Sequence, residues 1–122
     1  MLVVIGGASG FLGSRLSRHL EDADHDVVQL VRRSPTGPGE SRWDPYAGTL
    51  DAEVIEAADV VVNLAGSPTA GNPHSRRWAD NMLNSRVTTT RVLAGAVAAS
   101  TRRPALLAGN GISFYGDRGG TP

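Results

Sequence analysis

Two rhythms of apolar and polar positions run along this chain: short, wholly apolar runs, and longer stretches with apolar residues every three or four positions. Leu2 to Ile5 is apolar throughout and rich in β-branched residues, the pattern of a strand buried on both faces. Between Phe11 and Ala23, Leu12, Leu16 and Leu20 recur at four-residue spacing, with Arg15, Arg18, Glu21 and Asp22 off that line. This predicts an amphipathic helix with the leucines turned inward. Val27 to Val31 predicts a second strand and Ser41 to Trp43 a third, followed by a turn at Asp44-Pro45-Tyr46-Ala47-Gly48. Pro35, Gly37, Pro38 and Gly39, within Ser34 to Ser41, exclude a helix between those two strands. Asp51 is placed to N-cap a short helix through Ala58, and Val60 to Leu64, preceded by Asp59, predicts another buried strand. A polar loop with glycine and proline runs from Gly66 to about Ser75. A long helical pattern then extends from roughly Arg77 to Ser100, offering Trp78, Met82, Thr89, Val92, Leu93 and Val97 to an inner face. Pro104 follows the end of that helix, and Ala105 to Ala108 predicts a last strand.

Strands separated by helical patterns imply crossover connections and parallel pairing. The expected fold is therefore α/β, a doubly wound, mostly parallel, Rossmann-like sheet in one domain over residues 1–122. The second crossover departs from the pattern, because a Pro/Gly loop stands where a helix is expected.

Composition narrows the function. Formal net charge is zero, from 12 basic and 12 acidic residues, which argues against an unaided nucleic-acid or anionic-membrane surface. All the basic residues are arginine, so no chemistry that needs a lysine amine can come from this chain alone. The absence of cysteine excludes disulfides, thiolate zinc sites and a cysteine nucleophile. His19, His25 and His74 lack partners at metal-ligand spacing, so no metal is expected. No apolar run approaches the roughly 20 residues needed to span a bilayer, and the N-terminus lacks a secretory pattern. A soluble, cytoplasmic protein is the expectation.

The 15 glycines exceed the usual ~7% of a globular chain, and their placement explains the excess. Gly7-Ala8-Ser9-Gly10-Phe11-Leu12-Gly13 spells G-x-x-G-x-x-G between the first strand and the first helix. The first glycine lets the chain turn off the strand, and the second lets backbone amides approach a pyrophosphate. The third lets the helix pack closely on the sheet. The helix N-terminus then offers unpaired N–H groups and a positive dipole end to phosphates. Dinucleotide binding is the reading, with Gly7, Ser9, Gly10, Phe11, Leu12 and Gly13 as its residues; a merely tight turn is the bland alternative. At the end of the second strand, Leu30-Val31-Arg32-Arg33-Ser34 carries no acid to favour NAD. Arg32 and Arg33 suit a 2′-phosphate through their planar forks, so NADP is expected, with NAD as the alternative and solvated arginines as the bland reading. Leu64, Ala65 and Gly66, small or apolar at a strand's C-terminal end, let a cofactor lie against the backbone. Asn63 either contacts it or satisfies neighbouring backbone groups.

Together with Ile5-Gly6, Asn63-Leu64-Ala65-Gly66 and Phe114-Tyr115-Gly116-Asp117-Arg118-Gly119, this turn resembles the short-chain dehydrogenase/reductase superfamily. More narrowly it resembles the extended or atypical NAD-dependent epimerase/dehydratase branch. Trp43-Asp44-Pro45, Gly48, Leu50-Asp51 and Asn84-Ser85-Arg86-Val87 are similar to an atypical epimerase-like subgroup, and the likeness runs over essentially the whole chain. It implies hydride transfer to or from a nicotinamide, with a tyrosine acid/base, a lysine four residues later and a serine or threonine after the fifth strand. This chain has only Tyr46 and Tyr115 and no lysine, so the Tyr-x-x-x-Lys pair is absent and no catalytic residue is assigned. The serine position falls on Asn110, which can donate a hydrogen bond but not relay a proton. Asn110 and Tyr115 are candidates for a substrate pocket, and Asp117 lies on the same side. The resemblance places Arg86 near the cofactor; a surface salt bridge with Asp80 is the alternative. Trp43 and Trp78 either flank a substrate or pack.

Relatives run well beyond this length, so the chain reads as the N-terminal, cofactor-holding portion, ending after the fifth strand without its C-terminal substrate-binding part. The expected function is NAD(P) binding within an epimerase/dehydratase-like oxidoreductase that acts on an unknown small molecule. The alternative is a non-catalytic NADP-binding regulatory or redox-sensing module. Related enzymes pair through long helices, so a homo-oligomer is compatible with either.

Overall fold

In the computed structural model, the described residues are 1–8, 10–65 and 76–108, and they form eight elements in the expected order. These are β1 (Leu2–Gly6), α1 (Phe11–Asp22), β2 (Asp26–Val31), β3 (Glu40–Arg42), α2 (Ala52–Ala57), β4 (Val60–Asn63), α3 (Arg76–Ala99) and β5 (Ala105–Ala108). Ser9, Gly66, His74, Asn110, Tyr115, Asp117 and the side chains of Trp78 and Met82 lie outside the described residues.

The strands form one sheet in the order β3-β2-β1-β4-β5, every pairing parallel. Chain order reverses at β1, where β2 lies on one side and β4 on the other. Val4 is in register with Val28 toward β2 and with Val61 toward β4. Successive side chains of β1 go to opposite faces, so a continuous apolar run feeds two cores. On one face Val3, Ile5, Ala8 and Val62 pack with Leu16 and Leu20 of α1. On the other, Val4, Leu30, Trp43 and Val61 pack with Ile55 of α2 and Leu93 of α3. Ile5, Ile55, Leu93, Val4 and Val61 are fully buried, each side chain stabilising by ~1.5–3 kcal/mol.

The inner face of α1 differs from the leucine line. Gly13 and Ser17 are its buried residues and Leu16 and Leu20 are half-buried, while Leu12 is 65% exposed. The cause is Gly13. A Cβ there would lie 2.6 Å from the Cα of Ala8, so the helix comes closest to the sheet along its glycine, and Leu12 is rotated out. Ser17 satisfies its buried hydroxyl by donating to the Gly13 carbonyl at 2.8 Å. On α3 the inner face holds Ser85, Thr89 and Leu93, with Val92 and Val97 half-buried beside them.

Asp51 caps α2 as its residue type suggests, its carboxylate accepting from the Glu53 amide at 3.0 Å. Asp59 accepts from the Leu2 amide at 2.8 Å and pairs with Arg102 at 2.9 Å, joining the N-terminal ends of β1 and β4 to the α3–β5 turn. The Leu2 hydrogen bond is the first cause holding that carboxyl below the usual range. Among the described residues no helix is long and apolar enough to cross a membrane.

Candidate functional site

All strands being parallel, the C-terminal ends of β1, β2, β3 and β4 lie along one edge of the sheet. The described residues that follow these strands start from that edge, and the reversal of strand order between β1 and β4 opens a crevice of the kind ligands use in such sheets. A cavity of about 710 Å³ occupies it. Gly7 and Ala8 wall it from β1, Gln29 to Arg33 from β2, and Trp43, Pro45 and Tyr46 from the segment after β3; Ala65, Ser85 and Thr89 close it from β4 and α3.

The three motif glycines differ in what requires them. Gly7 has φ +81, and a Cβ on it would lie 2.5 Å from the Ala65 nitrogen and the Leu64 carbonyl carbon. Gly13 is closed off by the backbone of Gly7 and Ala8. Gly10 is extended (φ −73, ψ 175), and a Cβ there would meet only the Gly7 carbonyl oxygen at an ordinary 3.5 Å. The interior therefore demands glycine at 7 and 13, whereas at 10 a side chain is excluded only by whatever the turn faces outside. Gly10 caps α1 with no side-chain hydrogen bond, and no acidic residue occupies the first turn. The amides at that end thus keep their capacity for an anion.

Asn63 is a structural residue. It is 3% exposed and donates through Nδ2 to the hydroxyls of Thr89 and Thr90 at 3.0 and 2.9 Å, while Oδ1 accepts from the Ala65 amide at 2.9 Å. The Thr89 hydroxyl in turn donates to the Ser85 carbonyl at 2.8 Å. This chain fixes the exit of β4 against α3 and holds Ala65 beside Gly7. Leu64 donates its amide to the Gly6 carbonyl at 2.8 Å, completing the seam.

The two arginines after β2 have different surroundings. Arg33 forms a two-pronged pair with Glu40, at 2.9 and 2.6 Å, and donates to the Ser34 carbonyl at 3.1 Å. Glu40 also accepts from the amide and hydroxyl of Thr36, both at 2.8 Å. The Arg33 hydrogen bond, then those from Thr36, lower the Glu40 carboxyl from 4.5 to about 2, and the same carboxylate raises the Arg33 guanidinium. Arg32 instead lies over the Tyr46 ring, 4.9 Å from its centroid, with Asp44 at 3.9 Å. The turn after β2 lacks an acid in sequence, yet the fold delivers two carboxylates to it from β3 and the turn beyond.

Of the other sequence candidates, Phe11 and Leu12 stand exposed at the start of α1, with Arg15 stacked 5.1 Å from the Phe11 ring. Arg86 is half-buried on α3, next to Ser85, and is not one of the cavity's wall residues. Trp43, 3% exposed, packs in the core and also forms cavity wall beside Gly6. Gln29, Pro45, Tyr46, Ser85 and Thr89 were not legible as wall residues from local pattern. The available signal was topological, since residues that follow any parallel strand reach this edge. Among the described residues no group of acids and histidines could hold a metal.

The sequence profile of the NAD dependent epimerase/dehydratase family matches residues 3–122. Epimerase family protein Mb2239 of Mycobacterium bovis is 36% identical over 116 residues, covering 95% of this chain and 38% of its own. Human epimerase family protein SDR39U1 is 37% identical over 120 residues, covering 94% and 38%. The chain thus spans less than two-fifths of these relatives. The crystal structure of human SDR39U1 (isoform 2) with NADPH superposes with a TM-score of 0.73 at 28% identity, over 94% of this chain and 38% of that one. MoeE5 in complex with UDP-glucose and NAD gives 0.75 at 28% identity, over 100% and 40%.

Proposed function

The chain belongs to the NAD dependent epimerase/dehydratase family, and from that premise we propose that it holds the dinucleotide for an oxidoreductase or epimerase acting on a small molecule, with NADP preferred to NAD. The observation that carries the reading is the Gly7–Gly13 turn at the strand-order reversal, opening on a cavity of about 710 Å³, within the usual ~300–1,000 Å³ of cofactor sites. The residues present fit such a ligand. The uncapped start of α1 would take the pyrophosphate, Gly10 would leave it room, Ala65 would lie against it, and the arginine pair after β2 would supply positive charge on the side of the 2′-phosphate. The solved relatives with NADPH and NAD support both nucleotides as candidates.

When bound, a nicotinamide dinucleotide supplies reversible hydride transfer. This chain's own residues would bind and orient it: the Asn63–Thr89 chain keeps the β4 exit fixed, and the buried Trp43 forms part of the cavity wall. Proton transfer by a Tyr-x-x-x-Lys pair is not available within these residues, because the sequence has no lysine. The second reading is a non-catalytic NADP-binding regulatory or redox-sensing module. We propose a cytoplasmic location under either reading.

Calorimetric titration with NADP and NAD tests the site. Tighter NADP binding is expected, and joint replacement of Arg32 and Arg33 by Ala should weaken NADP far more than NAD. Tighter binding of NAD would refute the cofactor preference, and no binding by folded protein would refute the site. Consumption of NADPH with nucleotide-sugar or carbonyl compounds supports the enzyme over the module.

A further inference from the structure

Resting on that reading of the cavity, we propose that Arg32 reads the 2′-phosphate, with Tyr46 and Asp44 as its positioning residues, and that Arg33 is a scaffold residue. The two guanidinium groups differ in what each would give up to a ligand. Arg33 is committed: two prongs on Glu40, a third hydrogen bond to the Ser34 carbonyl, and a carboxylate itself held by two groups of Thr36. A bidentate pair of this kind is the strong form of the arginine–carboxylate contact. Diverting that fork to a ligand would strand the Glu40 carboxylate, whose side chain is only 15% exposed. The unit closes the loop from β2 to β3, the crossover in which no helix forms.

Arg32 is held differently. Its contact with Asp44 is a single one at 3.9 Å, between side chains 60% and 49% exposed, a long and solvent-screened pair that holds the guanidinium weakly. The Tyr46 ring lies under the guanidinium carbon, 4.9 Å to its centroid, a cation–π contact that holds the charge without engaging its N–H groups in a bidentate pair. Both Arg32 and Tyr46 wall the cavity, and Asp44 is not one of the wall residues. Asp44 therefore acts through Arg32. Its carboxylate partly neutralises the guanidinium, and a dianionic phosphate arriving there must displace that contact against a like charge. The same carboxylate shapes the turn, accepting from the amides of Tyr46 and Ala47 at 3.1 and 3.2 Å. An Asn at 44 keeps an oxygen acceptor for those amides and removes only the charge.

Titrations of single variants with NADP and NAD test the assignment, with circular dichroism confirming the fold of each. Arg32→Gln should lower NADP affinity about ten- to a hundredfold, the scale of lost charge-assisted hydrogen bonds, and leave NAD unchanged. Arg33→Gln should change both nucleotides alike. Tyr46→Leu should weaken NADP about two- to fivefold, and Tyr46→Phe should restore it. Asp44→Asn should tighten NADP but not NAD, by a margin that shrinks as salt is added. An NADP-selective loss in Arg33→Gln with none in Arg32→Gln would overturn the assignment while leaving the dinucleotide site intact. Weakened NAD binding in Asp44→Asn would make that carboxylate a ribose acceptor and overturn its positioning role. An unmodified, folded protein that binds neither nucleotide would remove the reading beneath the proposal, and the proposal with it.

Discussion

Alanine in place of glycine stabilises an exposed helix interior by ~1 kcal/mol, so propensity alone gives Gly13→Ala and Gly95→Ala the same sign. The structure separates them. Gly95 lies on α3, where a Cβ would meet nothing within 4 Å. At Gly13, on α1, a Cβ would lie against the Gly7 carbonyl oxygen, 2.6 Å from the Ala8 Cα and 2.9 Å from its carbonyl carbon. Those are peptide atoms, so the helix must move off the turn. Overpacking of this kind costs ~1–3 kcal/mol, and rigid backbone on the obstructing side places it at the upper end. Subtracting the ~1 kcal/mol gained in propensity leaves Gly13→Ala destabilised by about 2 kcal/mol, and Gly95→Ala stabilised by about 1. A domain of this size moves roughly 4 °C in Tm per kcal/mol. Thermal unfolding should therefore show a fall of about 8 °C for one variant and a rise of about 4 °C for the other. Urea midpoints should shift in the same directions with unchanged slope. Equal gains in both variants would refute the claim that α1 is seated through its glycine.

Asn63→Ala leaves the Ala65 amide and two threonine hydroxyls without their partner; a loss of ~1–3 kcal/mol is expected by urea denaturation, and a neutral result would mean those groups find other partners. Asp51→Ala removes the acceptor for the Glu53 amide and should cost ~1 kcal/mol, with helix content otherwise retained by circular dichroism. The Glu40 carboxyl, lowered from 4.5 to about 2 by Arg33 and Thr36, contributes stability that is present above about 4.5 and lost as pH falls toward about 2. An NMR titration should place its midpoint well below 4.5; an ordinary midpoint would mean the Arg33–Glu40 fork is not formed in solution.

Most of the fold was legible because it depends on short-range pattern. Each apolar run became a strand, the Pro/Gly segment became a helix-free crossover, and Asp51 capped its helix, each within a residue or so of the expected bounds. The leucine line of α1 misled because periodicity records where apolar residues are, not which side comes nearest the sheet. That was decided by the residue without a side chain. The turn glycines could be read from spacing, but the environment of the arginines could not. Glu40 and Asp44 reach them only after the chain has crossed to β3 and back. Asn63 was ambiguous for the same reason, since its partners Thr89 and Thr90 are more than 25 residues away.

The contact between Gly7 and the exit of β4 has a consequence for suppressor genetics. The atoms that exclude a side chain at position 7 are the Ala65 nitrogen and the carbonyl group of Leu64, atoms that nearly every amino acid would carry in the same place. Shrinking or reshaping the side chains at 64 and 65 cannot make room. In a library that randomises positions 7, 64 and 65 together and selects for folded protein, the two later positions should diversify. Position 7 should return as glycine in every background, an allele without an intragenic suppressor among its own contacts.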